Sequence, residues 1–251
     1  MIGQRERAGP AGTLRLGLRR AIYEVKTVVA QYPALALPIA RRRHGLPVDR
    51  RTEIVIEGFP RSGNTFAVQA FVLAQPVRPR VAGRVHAPAQ VLAAVRWGIP
   101  AIVLLRAPEE VVPSFVVRHP HVPMRQALRG WMRFYRPLLP HRDRFVVATF
   151  GQVTTDFGRV VERVNERFGT SFVPFQHTEE NVRRCWEAID RDYRTRTEGR
   201  EEEFARTVAR PSAAREELKR RLREEYEATV PAGARAAARD LNEALAASAL
   251  A

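Results

Sequence analysis

The strand Glu53-Ile-Val-Ile-Glu57 and the loop Gly58-Phe-Pro-Arg-Ser-Gly-Asn-Thr65 that follows it decide the predicted fold. The first segment is a short run rich in β-branched residues, which is typical of a buried strand. After the loop, Phe66–Leu73 carries apolar residues at helical spacing. A strand, a tight loop and a helix in this order begin a unit of parallel strands joined by helices.

The central part of the chain repeats this alternation. Three further apolar runs predict strands, at Val81–Val85, Ala101–Leu105 and Arg144–Phe150. Helical patterns follow them, at Pro88–Trp97, Glu109–Val117 and Thr155–Phe168. Because parallel strands joined by helices form sheets that are covered on both faces, we predict an α/β protein with a central parallel sheet in three layers. Ligands bind such sheets at the carboxyl ends of the strands.

The loop Gly58–Thr65 has the spacing of a phosphate-binding loop, G-x-x-x-x-G-K-[ST], with Asn64 at the Lys position. Gly58 and Gly63 permit a tight turn, so that successive N–H groups and the positive end of the next helix face an anion. The fold is therefore predicted to be of the P-loop nucleoside-triphosphate-hydrolase type.

Two features disfavour an ordinary nucleoside triphosphatase. The loop lacks the Lys that reaches the β- and γ-phosphates, and its cation is Arg61 instead. The strand Ala101–Leu105 ends in Arg106 rather than in an Asp that would hold magnesium. A divergent small-molecule or nucleotide kinase stays an alternative, as does a turn that binds no ligand.

A second motif follows the strand Ala101–Leu105. Arg106 ends this strand, Pro108 suits the first turn of a helix, and Ser114 lies further along that helix. A guanidinium and a hydroxyl that converge at a strand end form a site for a second phosphate.

Together the two motifs resemble the sulfotransferase family that uses 3′-phosphoadenosine-5′-phosphosulfate as donor. Its members carry a loop close to Pro-[Lys/Arg]-Ser-Gly-Thr-Thr, which here reads Pro60-Arg-Ser-Gly-Asn-Thr65. They also have a strand that ends in Arg and is followed eight residues later by Ser, an interval that Arg106 and Ser114 keep. Arg84-Val-His86-Ala-Pro88 is similar to the family's His-x-Pro element, and Phe150–Gly158 is similar to a later stretch of bacterial members.

The resemblance implies an enzyme that transfers a sulfuryl group to an acceptor hydroxyl and needs no metal. His86 is then the general base, and Arg61 stabilises the leaving phosphate. The resemblance assigns donor binding to Arg61, Ser62, Gly63, Asn64, Thr65, Phe66, Arg106 and Ser114. Phe66 has two interpretations, as an aromatic ring that stacks on adenine or as a core residue.

The chain departs from the family near its C-terminus. Many members carry a late Arg-Lys-Gly segment that closes over the 3′-phosphate, and no such string occurs here. The segment Arg210–Lys219, with Ser212 as a helix cap, is a candidate substitute, and an ordinary amphipathic helix is the alternative. His119, His121 and His141 are interpreted as surface or capping residues.

Charge is concentrated at the N-terminus. The chain has a formal net charge of +15, and residues 1–51 contain eleven basic and three acidic residues. We predict a basic N-terminal helix and linker over residues 1–51, with Pro33–Arg51 as the linker, and a sulfotransferase-like α/β domain with a helical C-terminal part over residues 52–251. The basic segment either contacts an anionic membrane surface or is a solvated arm.

Composition sets the remaining expectations. The apolar stretch Thr27–Ala40 is interrupted by Pro33 and Pro38, which favours a cytoplasmic protein, with peripheral contact at the inner membrane face as a variant. The expected acceptor is a small molecule, a glycan or a lipid that bears a hydroxyl. A non-enzymatic anion-binding or nucleic-acid-binding protein is the third hypothesis, and the lack of a nucleic-acid-binding module disfavours a nucleic-acid partner.

Overall fold

A computed structural model describes residues 10–42, 46–196 and 213–249 of the 251-residue chain. These residues contain a four-stranded parallel sheet with the strand order β2-β1-β3-β4. The strands are β1 (Ile54–Gly58), β2 (Val81–Gly83), β3 (Ala101–Leu105) and β4 (Val146–Thr149). The α/β class and the parallel sheet are thereby confirmed.

Helices connect and flank the strands. They are α1 (Pro10–Val29), α2 (Pro33–Arg42), α3 (Asn64–Ala74), α4 (Pro88–Trp97), α5 (Pro108–Arg118), α6 (Met124–Tyr135), α7 (Phe150–Thr155), α8 (Phe157–Phe168), α9 (Glu179–Arg196), α10 (Ala213–Thr229) and α11 (Ala232–Ala246). Short 3₁₀ helices span Leu139–Arg144 and Ala247–Ala249. β3 and α4 have the bounds that the sequence pattern predicts.

The sheet has an apolar core on each face, because side chains alternate along each strand. Ile54 and Ile56 of β1 pack in the layer of α3, α8 and α9, whereas Val55 packs in the layer of α4, α5, α6 and α11. Burial of each aliphatic side chain stabilises the fold by about 1.5–3 kcal/mol relative to exposure. The arrangement is compatible with a three-layer α/β fold.

The strand order creates a crevice between β1 and β3. From β1 the chain passes through α3, on one face, to β2; it then crosses back through α4, on the other face, to β3. After β3 it continues through α5, on the same face as α4. The loops after β1 and β3 therefore separate toward opposite faces, and a crevice of this kind is where open α/β sheets bind ligands.

The predicted linker is partly wrong, because α2 occupies Pro33–Arg42. Pro33 is the first residue of this helix, where the missing N–H has no partner to lose and the fixed φ suits the helix. Leu37 and two alanines of α2 are buried, and α2 packs on α4. Tertiary packing thus stabilises a helix in a segment whose prolines had predicted a linker. The domain boundary at residues 51 and 52 stays a prediction.

Among the described residues, no helix combines the length and the apolar character that crossing a membrane requires. The cytoplasmic location stays a prediction.

Candidate functional site

Two glycines shape the loop after β1. A Cβ at Gly58 would lie 2.6 Å from the carbonyl oxygen of Leu104, because β1 and β3 approach closely there. Gly63, the residue before α3, has φ +90°, a left-handed conformation that glycine adopts without strain. Both positions therefore require glycine, the first for space and the second for backbone conformation.

The carbonyl group of Phe59 closes this loop. It accepts hydrogen bonds from the N–H of Ser62 at 3.2 Å and from Nδ2 of Asn64 at 3.0 Å. The side chains of Ser62 and Asn64 are both buried. Asn64, at the lysine position of the pattern G-x-x-x-x-G-K-[ST], therefore braces the loop. A cofactor contact by either residue would have to come from its main chain. Thr65 is half-buried in the first turn of α3.

Tyr135 of α6 fastens the same loop to the sheet. Its hydroxyl donates a hydrogen bond to the carbonyl oxygen of Leu104 at 2.6 Å and accepts one from the N–H of Phe59 at 3.3 Å. Burial raises the pKa of Tyr135 well above its usual range, so the hydroxyl keeps its proton. Sequence reasoning missed this residue, which bridges the carboxyl ends of β1 and β3.

Arg61, Arg106 and Ser114 come from three separate elements and meet in the crevice. Nε of Arg61 donates a hydrogen bond to Oγ of Ser114 at 3.2 Å. Nη1 of Arg106 donates one to the main-chain carbonyl of Arg61 at 3.1 Å. The two motifs that the sequence shows far apart therefore form one contiguous group, with the loop after β1 next to the end of β3.

Arg106 is held on several sides. Its Nε lies 3.2 Å from Oε2 of Glu110, and its guanidinium carbon lies 4.1 Å from the centre of the Phe150 ring. The indole N–H of Trp131 donates a hydrogen bond to the main-chain carbonyl oxygen of Arg106 at 3.2 Å. Only 12% of the side chain is exposed. The guanidinium is thus oriented before any ligand binds, which lowers the entropy cost of binding.

Phe66 lies in the core, 5% exposed. Its ring contacts Phe175, His177 and Trp186, with centroid separations of 6.2, 5.9 and 5.5 Å. The structure thus supports the interpretation of Phe66 as a core residue, and adenine stacking by this ring stays a prediction without structural support.

His86 follows β2 and faces the end of β1. Its Nδ1 lies 3.0 Å from the carbonyl oxygen of Gly58. Because a carbonyl oxygen only accepts hydrogen bonds, Nδ1 carries the proton and the lone pair of the neutral ring lies on Nε2. Burial, together with the charges of Lys26, Arg118 and Arg84, lowers the pKa of His86 to about 4, although the hydrogen bond to Gly58 opposes this shift. One third of the side chain is nevertheless exposed, and the ring is neutral at neutral pH.

Glu57, the fourth residue of β1, is fully buried beneath His86. Its Oε2 accepts hydrogen bonds from the N–H groups of Val85 and His86 and from Nε2 of Gln90, at 3.0, 3.1 and 3.0 Å. Its Oε1 accepts one from the N–H of Gly58 at 3.2 Å and lies 3.5 Å from Nδ1 of His86. One carboxylate therefore organises the whole turn that carries His86.

Burial raises the pKa of Glu57 to about 7, although its hydrogen bonds oppose this shift. Sequence reasoning used Glu57 only as the end of a strand. The signal that could have identified it is its position, because a carboxylate in a strand buried on both faces has to have a structural or chemical partner.

Backbone strain is concentrated around these residues. In the part of the chain that the structure describes, the non-glycine residues with positive φ are Arg61, Arg84 and His86, at 76°, 63° and 56°. Each such conformation costs on the order of 1 kcal/mol or more and persists only where the surroundings impose it. At Arg84, the hydrogen bond from Nη1 to Oδ2 of Asp192 in α9, at 3.1 Å, helps to hold this conformation. We call Glu57, Arg61, His86, Arg106 and Ser114 the strand-end cluster.

Other predicted residues lie apart from the strand-end cluster or outside the described residues. His119 packs on Phe115, with ring centroids 4.5 Å apart, and burial lowers the pKa of His119 to about 4. His141 is exposed in a 3₁₀ helix. Arg210 and Ser212, the candidates for closure over the 3′-phosphate, lie outside the described residues.

Two surface cavities also lie elsewhere. One of about 340 Å³ opens between α1 and α6, and one of about 210 Å³ lies beside the end of α3. Neither is lined by a member of the strand-end cluster. The candidate site is therefore defined by its polar contacts and its position in the sheet.

In comparisons with known proteins, no family model matches the chain and no curated protein matches it. The resemblance to sulfotransferases is thus carried by the two motifs, by Arg84–Pro88 and by Phe150–Gly158.

Proposed function

We propose that the protein is a sulfotransferase of P-loop type, which moves a sulfuryl group from 3′-phosphoadenosine-5′-phosphosulfate to an acceptor hydroxyl. The observation that carries this proposal is the convergence of Arg61, Arg106 and Ser114 in the crevice between β1 and β3. A neutral His86 contacts the carbonyl oxygen of Gly58, at the start of the loop that carries Arg61. The acceptor is a small molecule, a glycan or a lipid.

Donor binding follows from the charges of the crevice. Arg61 and the first N–H groups of α3, which have no acceptor within the helix, hold the 5′-phosphosulfate. Arg106 and Ser114 hold the 3′-phosphate, because a guanidinium and a hydroxyl donate hydrogen bonds to phosphate oxygens. The bond between Arg61 and Ser114 is exchanged for bonds to the donor.

Transfer is an in-line displacement at sulfur. The acceptor oxygen forms a bond to sulfur while the bond from sulfur to the 5′-phosphate oxygen breaks. The hydroxyl proton passes to Nε2 of His86, and 3′-phosphoadenosine-5′-phosphate leaves with the bonding electron pair. Arg61 stabilises the negative charge that develops on the leaving phosphate oxygen.

Glu57 acts through His86 as a positioning residue. Its carboxylate binds the main chain of the turn at Val85 and His86 and lies near the protonated Nδ1. When His86 takes up the acceptor proton, the nearby carboxylate stabilises the imidazolium ion. A histidine with a low pKa thereby gains basicity in the step where it is needed.

A kinase is the second candidate, and the contacts of two residues disfavour it. Asn64, at the P-loop lysine position, donates its amide hydrogen to Phe59. Arg106, at the position of the magnesium-binding Asp, is a cation that bonds to Arg61. A kinase of this family needs a Lys on the phosphates and a carboxylate on magnesium, and these two positions provide neither.

Calorimetric titration with 3′-phosphoadenosine-5′-phosphate in a chelator tests the proposal. We expect it to bind more tightly than ATP with magnesium does. Arg61→Ala is expected to weaken binding at least about tenfold, because a charge-assisted hydrogen bond contributes about 1.5–3 kcal/mol. Arg96→Ala, which removes an exposed guanidinium of α4, is the matched control.

Two results would overturn the assignment. One is tighter binding of ATP with magnesium, which would favour the kinase. The other is anion binding that depends steeply on salt and is indifferent to Arg61→Ala, which would favour a non-enzymatic anion-binding protein. A screen of labelled donor against lipids, glycans and phenols then identifies the acceptor.

A further inference from the structure

An apolar stripe follows the outer surface of α1 and α2. Its side chains are large, apolar and between 39% and 75% exposed: Leu14, Leu18, Ile22, Val25, Val28, Tyr32, Leu35 and Ile39. They are spaced three or four residues apart, which places those of each helix along one face. We call these residues the outer apolar stripe. Elsewhere in the described chain, the exposed large apolar side chains are Leu46, Leu73, Val77, Val117 and Val173.

The opposite face of α1 is docked on the α/β domain. Glu24 forms ion pairs with Arg129 and Arg133 of α6. The Tyr23 ring packs on Phe115 of α5 at 5.7 Å, and Nε2 of Gln126 donates a hydrogen bond to the carbonyl oxygen of Arg20 at 2.8 Å. These contacts set the rotation of α1, so the outer apolar stripe faces away from the domain.

Basic residues border the outer apolar stripe. Arg15, Arg19 and Lys26 of α1 are exposed, and Arg41 and Arg42 are exposed at the end of α2. The carboxylate that residues 10–42 contain is Glu24, and it is paired with α6 on the docked face. Within residues 10–42, the outward surface therefore joins an apolar centre to a basic edge.

We propose that this surface docks the protein on an anionic lipid bilayer, with the outer apolar stripe in the headgroup and acyl boundary and the basic edge against lipid phosphates. Amphipathic helices of this composition lie in the plane of a membrane interface. Each Lys or Arg near an anionic surface adds electrostatic attraction. A second copy of the chain fits less well, because a symmetric contact would set the basic edge against itself.

α2 and the turn that follows α1 also contact the segment that carries His86. The carbonyl oxygen of Ala30, after α1, accepts a hydrogen bond from the N–H of Ala89 at 3.1 Å. Ala36 of α2 packs with Ala87 and Ala89. The membrane proposal stands on the outer surface alone and does not require the proposed transferase activity, although it places a bilayer close to that site.

Co-sedimentation of the full chain with lipid vesicles tests this proposal. We expect strong binding to vesicles in which phosphatidylglycerol replaces about a third of the phosphatidylcholine, and weak binding to phosphatidylcholine alone. Leu18→Glu combined with Val25→Glu is expected to reduce the partition coefficient at least about tenfold. Val77→Glu combined with Val173→Glu, at exposed apolar positions outside the helices, is the matched control and should bind as the unmodified chain does.

A second variant separates the charge contribution. Arg15→Glu combined with Arg19→Glu should abolish the preference for phosphatidylglycerol and leave the stripe intact. Equal vesicle binding by the stripe variant and the unmodified chain would overturn the proposal. Sedimentation velocity in lipid-free buffer would also overturn it, if the unmodified chain forms a dimer that Leu18→Glu combined with Val25→Glu dissociates. The outer apolar stripe would then be covered by a second copy of the chain. Calorimetry with 3′-phosphoadenosine-5′-phosphate reads out the transferase proposal separately.

Discussion

The strand-end cluster and the outer apolar stripe depart in opposite ways from the rule that apolar side chains are usually buried and charged side chains are usually exposed. The first buries a carboxylate near the end of β1 and leaves only 12% of an arginine side chain exposed at the end of β3. The second exposes eight large apolar side chains on α1, α2 and the turn between them. Burying a charge without partners is costly, and exposing apolar surface forgoes about 25 cal/mol per Å². Buried charges and exposed apolar patches contribute little to the stability of the folded chain. Both features are therefore typical of binding sites.

The two regions differ in how they meet this cost. In the strand-end cluster every carboxylate oxygen of Glu57 has donors, and Arg106 bonds to the carbonyl of Arg61. The outer apolar stripe has no cover among the described residues. The first region therefore has its contacts within the folded chain, whereas the second, on the membrane proposal, gains its contacts only when a bilayer binds.

His86→Gln provides the largest expected effect and the strongest test of the strand-end cluster as a catalytic site. Loss of a general base typically lowers turnover about 10²–10⁴-fold. We expect this loss in kcat with labelled donor, while the affinity for 3′-phosphoadenosine-5′-phosphate stays unchanged. His141→Gln, at an exposed histidine, serves as the control. Full turnover in the His86 variant would remove the base role.

Glu57→Gln tests whether the buried carboxylate positions His86. We expect kcat to fall about 10–100-fold with little change in KM, because residues that orient a functional histidine have effects of this size. The pH profile should also change. On the proposed mechanism, we expect the rate of the unmodified chain to fall as pH decreases through about 7, where Glu57 takes up a proton, and this limb should be lost in the variant. An unchanged pH profile would make Glu57 a purely structural residue.

The same substitution has a stability signature. The folded-state pKa of Glu57 is raised to about 7, above the unfolded value, so the folded chain binds this proton more tightly. The stability that Glu57 contributes is therefore full below the unfolded pKa and is lost as pH rises through about 7. Denaturant unfolding should show the difference between the unmodified chain and Glu57→Gln decreasing over that range, on the order of a few kcal/mol.

Gly130→Ala tests whether α1 is docked on α6. A Cβ at Gly130 of α6 would overlap the Tyr23 hydroxyl, so α1 has to shift on its docking face. Overpacking of this kind costs about 1–3 kcal/mol, and thermal unfolding should show the loss. Gly233→Ala in α11, where the added Cβ meets no atom within 4 Å, is the control and should be neutral or slightly stabilising. Equal effects of the two changes would contradict the docked position of α1.

Leu18→Ser has the smallest expected effect on stability. Leu18 is 60% exposed, and exposed substitutions usually change the free energy of unfolding by less than about 0.5 kcal/mol. Leu37→Ala on α2, where the side chain is 6% exposed, should cost about 2–4 kcal/mol in the same assay. A large loss of stability at Leu18 would mean that the outer apolar stripe is covered within the folded chain.

Local sequence patterns predicted most of the strands and helices, but they did not predict the contacts between residues that are distant in the chain. The strand Ala101–Leu105 and the helix Pro88–Trp97 were predicted to the residue, because their periodicity and flanking residues are local signals. α2 was missed because Pro33 and Pro38 suggested a linker, whereas the burial of Leu37 stabilises a helix. Glu57 was missed because its donors Val85 and His86 come from another strand end.

The α/β class, the tight loop at Gly58–Gly63 and the residue types that an anion site needs could be predicted from the sequence, since all of these depend on neighbours along the chain. The bond between Arg61 and Ser114, the place of Phe66 in the core and the hydrogen bond from His86 to Glu57 are visible only in the folded chain. The tertiary structure also decided which face of α1 meets α6 and which faces outward. These outcomes depend on how strands pair and helices pack, and such contacts join residues too far apart in the chain for a local pattern to record.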